Sequence, residues 1–150
     1  MGKKKIDTSG YVEYKQKLSE AVGATPFIFA FTMESLESQL TEKGIKYENV
    51  EDVVVNMGSG IHILRNDLEQ YLIDSETRQN EFEELMKNKK FAIGAFYCEL
   101  KNHEYGWTLE NEEALEAFGF TLQQVHSDEH LAMCLEAAEK AIKKEEGIAY

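Results

Sequence analysis

Apolar and polar positions along the chain alternate between a helical and a strand-like period. Tyr11, Tyr14, Leu18 and Val22 fall at helical spacing and predict a first amphipathic helix, with Gly23 as its stop. The run Phe27–Phe31, "FIFAF", lies between Pro26 and Thr32 and predicts a short strand buried on both faces. Thr32 is placed to cap a second helix carrying Met33, Leu36 and Leu40 and ending at Gly44. In "VEDVVVNMGSGIHIL" two apolar runs flank Gly58, Ser59 and Gly60, the pattern of a β-hairpin with a glycine turn.

Helical spacing then returns. "NDLE" reads as a capping box, Asn66 with Glu69, opening a long helix toward Met86 whose polar middle, "DSETRQNE", must project into solvent or break. Ile93, Phe96, Tyr97 and Leu100 form the stripe of a helix from Phe91 to His103. Shorter helices follow around Ala114, Leu115 and Phe118 and at "TLQQV". Ser127 reads as the cap of a last helix bearing Leu131, Cys134, Leu135, Ala138 and Ile142. The fold class expected is α+β: a single domain over residues 11–150, mostly helical around a small sheet of about three strands. Residues 1–10 are expected as a mobile basic tail with Lys3, Lys4 and Lys5.

Composition narrows the partners. With 150 residues, 43% hydrophobic, the chain is long enough for one core that removes roughly 70% of its unfolded surface from water. Sixteen basic against 28 acidic side chains leave a net charge of −12, which repels phosphate backbones and anionic lipid, so neither direct nucleic-acid binding nor membrane association is expected. The same field favours a basic protein surface. Cys98 and Cys134 sit in helix-like segments with no signal peptide ahead of them, so reduced thiols and a cytoplasmic location in a bacterial host are expected. Ile6 stands where a myristoylation signal needs Ser or Thr.

Three stretches carry residues capable of chemistry. His126, Glu129 and His130 match H-x-x-E-H, but a helix capped at Ser127 leaves His126 outside it, so no metal site and no cofactor is expected. The Gly58, Ser59, Gly60 turn lacks the helix and lysine of a phosphate loop; with His62, Lys101 and His103 it remains a possible small-ligand site, in an oligomeric pocket if the chain self-associates. Glu99 and His103, one helical turn apart, form either an acid/base couple or a hydrogen-bonded helix end, and the absence of a nearby nucleophile favours the latter.

Between Glu99 and Glu116 there are six acids against Lys101 alone. Glu99, Glu104, Glu110, Glu112, Glu113 and Glu116, interleaved with Tyr105 and Trp107, make the expected docking surface for a basic partner.

The order "FIFAF", "GSGIHIL", "AFYCELKNHEYGWT", "ALEAFGF" resembles a small uncharacterised family of bacteriophages and mobile elements, over about Phe27 to Phe120. Its most specific piece is "ELKNHEYGWT"; Trp107 stands where tyrosine is commoner, so a hydroxyl there is lost. The resemblance implies a setting rather than a reaction. The leading expectation is a non-enzymatic accessory protein that inhibits a host nuclease-based defence system by stoichiometric binding. A nucleotide-messenger sponge and a small hydrolase using Glu99 and His103 are the alternatives.

Overall fold

The structure, a computed structural model, describes residues 5–148; Met1, Gly2, Lys3 and Lys4 of the expected basic tail lie outside them. Among the described residues, eight α-helices and one three-stranded antiparallel sheet bear out the α+β expectation. The chain groups into two compact units, Met1–Lys17 with Asn80–Tyr150, and Leu18–Gln79.

The second unit holds the sheet. Its strands β1 (Phe27–Phe29), β2 (Val54–Gly58) and β3 (Ile61–Leu64) lie in the order β1-β3-β2. Ile28 pairs with His62, and His62 with Asn56, so these three share one face with Val54 and Leu64. Helix α2 (Met33–Glu42) covers that face, and Leu36 and Leu40 meet Ile28, Ala30 and Val54 in a small core. Thr32 caps α2 as expected, accepting from the Ser35 amide at 3.1 Å. The hairpin turn is also as expected: Gly58, Ser59 and Gly60 all have positive φ, and a bulge separates Asn56 from Gly58. Strand β1 corrects the sequence reading. It is an edge strand, its pairing ends at Phe29, and Phe29 and Phe31 are exposed.

The first unit is helical. Its core joins Tyr11 of α1 (Ser9–Ala24), Phe82 and Met86 of α3 (Arg65–Met86), and the buried face of α4 (Lys89–Asn102). Leu115 of α6 (Glu112–Glu116), Val125 of α7 (Leu122–His126), and Cys134, Leu135 and Ile142 of α8 (Glu129–Glu145) complete it. Phe118 packs edge-on to Phe96 and stacks on Phe82. Helix α4 packs chiefly against α8.

Four helix boundaries differ from the pattern-based expectation. Helix α1 starts at Ser9 because the Asp7 carboxylate accepts from both the amide and the hydroxyl of Ser9, and it runs through Gly23 to Ala24. Helix α3 follows β3 directly at Arg65, leaving Asn66 inside the helix rather than at its cap, and it crosses its polar middle without a break. Asn88 caps α4 through the Phe91 amide, and Asp128, not Ser127, caps α8 through the Leu131 amide.

Candidate functional site

Helix α4 ends at His103, and the chain then turns through Glu104, a non-glycine residue in the left-handed region at φ 58°. That turn starts the short helix α5 (Tyr105–Thr108), which closes on a second left-handed residue, Leu109, also at φ 58°. Such a conformation costs a residue with a Cβ roughly 1–2 kcal/mol, so the packing on either side must hold it. Tyr105 supplies that packing: it is 1% exposed, and its hydroxyl donates to Glu139 Oε2 at 2.7 Å. Burial and the Glu139 carboxylate raise its pKa, so the hydroxyl stays protonated as the donor. Beside it, a side chain on Gly106 would press against Glu146.

With Tyr105 turned inward, Trp107 turns outward and is 90% exposed. Leu109 is exposed as well, and Glu104, Glu110, Glu112, Glu113 and Glu116 all lie at the surface. Two members of the expected docking surface are therefore corrected. Tyr105 is a core residue, and so is Glu99, at 4% exposure. Glu99 accepts from the Tyr11 hydroxyl at 2.5 Å, with Lys15 Nζ at 3.7 Å and His103 Nε2 at 3.6 Å. His103 Nδ1 faces Glu113 at 3.6 Å. Burial, then the Glu99 carboxylate, raise the Tyr11 pKa, so the phenol stays neutral beside the acid. The Glu99 and His103 side chains thus tie α4 to α1 and α6.

Lys101 and His103 are separated in role from the glycine turn. Lys101 pairs with Glu145 at 3.5 Å and lies over the Tyr97 ring, whose hydroxyl donates to Glu145 and whose pKa burial pushes up to about 12. Gly60 and His62 instead line a hollow of about 220 Å³ in the sheet unit, with Ala30, Phe31, Thr32, Met33, Leu36 and Asn56. Gly58 and Ser59 form the turn beside it but do not line it.

His126 is exposed at the end of α7, while His130 Nε2 lies 2.8 Å from the Met86 carbonyl. Among the described residues no group of three or more His, Cys, Asp or Glu could hold a metal ion, and no helix is long and apolar enough to cross a membrane.

A family model described as a family of unknown function, DUF7659, matches residues 10–141. The chain belongs to that family. No curated protein and no solved structure matches it. The DUF7659 match spans both the α5 surface and the sheet hollow, and it carries no assigned reaction. Sequence reasoning missed Leu109, Phe31 and Asn56; only the left-handed backbone and the strand register bring them forward.

Proposed function

We propose that this DUF7659 protein works by stoichiometric binding, with Trp107 as the anchor for a basic protein surface. One observation carries the reading: the chain's single tryptophan stands in solvent on a turn held by a buried tyrosine and bounded by two left-handed residues. A solvated indole adds nothing to the core, whereas tryptophans on supported turns are typical interface hot spots. The exposed Glu104, Glu110, Glu112, Glu113 and Glu116 supply the complementary charge, which speeds encounter with a basic surface and lets arginine stack on the indole.

A nuclease groove, lined with cations for phosphate, has that chemistry. An accessory protein of phages or mobile elements that occupies such a groove in a host defence enzyme is the concrete form of the proposal; it rests on charge and on the sequence resemblance. The test is affinity capture from bacterial lysate with the wild-type protein, Trp107→Ala, and the triple variant Glu110→Lys, Glu112→Lys, Glu113→Lys. A basic protein retained by the wild type and lost from both variants is the expected result. Identical retention by all three sinks the proposal.

A further inference from the structure

Beyond the α5 surface, we infer that the sheet unit carries a second site, for a neutral planar heteroaromatic ligand of the nucleobase type. The argument begins at His62, which is 8% exposed and lines the hollow beneath the start of α2. Its Nε2 lies 3.0 Å from the Ala30 carbonyl, which can only accept, so Nε2 carries the proton. In the neutral ring Nδ1 is then an acceptor, and it is buried without a partner. A buried acceptor left unpaired is costly, and a ligand N–H would relieve it.

Asn56 is the cross-strand partner of His62, so the two side chains stand about 5 Å apart on one face. Its Oδ1 accepts from the Gly58 amide at 2.8 Å, which leaves its NH₂ as a donor. Donor and acceptor side by side match the edge of a nucleobase, which presents the complementary pair. Phe31, 88% exposed with its ring over Gly60, offers a stacking face. The hollow has room for a fused bicyclic ring and falls short of the roughly 300 Å³ where drug-sized pockets begin. Glu34, in the first turn of α2, opposes an anion at that helix end, so the free base is favoured over its phosphate.

The test uses the full chain, ¹⁵N-labelled, titrated with adenine, cytosine and uracil, and with quinoline as a planar ring that has an acceptor but no donor. At least one base should bind saturably and move the His62 Nδ1 resonance, and quinoline should bind about tenfold or more weakly. Phe31→Ala should weaken that base about tenfold without changing Tm, since the ring is solvent-exposed. No movement of His62 with any of the three bases overturns the inference, as does equal binding of quinoline or indifference to Phe31→Ala.

Discussion

Replacing Glu99 by alanine separates a structural carboxylate from a catalytic one. The side chain is buried and accepts the Tyr11 hydroxyl 88 positions away in sequence. Its loss strands that hydroxyl, itself buried, at a cost of about 1–3 kcal/mol, and leaves His103 and Lys15 without their shared partner. Glu99→Gln keeps an acceptor for Tyr11 and should cost less. Tyr11→Phe removes the stranded donor, so the Tyr11→Phe, Glu99→Ala double variant should be more stable than the sum of the singles by about 1 kcal/mol or more. Urea unfolding followed by far-UV circular dichroism reads the wild type and the four variants. A Glu99→Ala loss below about 0.5 kcal/mol, the range of ordinary surface changes, would refute the structural role.

Other outcomes follow from the same contacts. Trp107→Ala should leave stability within about 0.5 kcal/mol, because the ring touches little of the fold, and the wild-type emission should be that of a solvated indole open to acrylamide quenching. Leu109→Gly should stabilise by up to about 1 kcal/mol by relieving the left-handed residue, and a clear loss of stability in urea unfolding would contradict this. Gly94→Ala should destabilise by about 1–3 kcal/mol, since its Cβ would collide with the Asp7 carbonyl. Tyr11 and Tyr105 have folded pKa values raised above the ordinary 10.0, so their contribution is intact below about pH 10 and is lost above it, as only the unfolded chain ionises. Together they should lower stability by about 2.7 kcal/mol per pH unit there, and a flat pH profile in urea would contradict this.

Much of the fold was legible because its signals are local. The glycine turn declares itself through positive φ, and Thr32 and the α4 stripe sit where cap chemistry and period place them. The misplaced boundaries came from competition between neighbouring polar residues: Asp128 outcompetes Ser127, and Asp7 extends α1 two residues upstream of its first apolar position. The site was legible only in part. Glu99 reads as one of six acids until Tyr11 is brought against it. Tyr105 and Trp107 look alike in sequence; the left-handed Glu104 ends α4 and resets the phase, turning one ring in and the other out.

The most direct test of the binding account is the affinity of a captured basic partner for wild-type protein and for Trp107→Ala, measured by titration at two salt concentrations. Trp107→Ala should weaken binding by about 2 kcal/mol or more, roughly thirtyfold, with the fold intact, and wild-type association should slow as salt rises. Unchanged affinity with an intact fold would contradict the role given to Trp107 and move the interface away from α5.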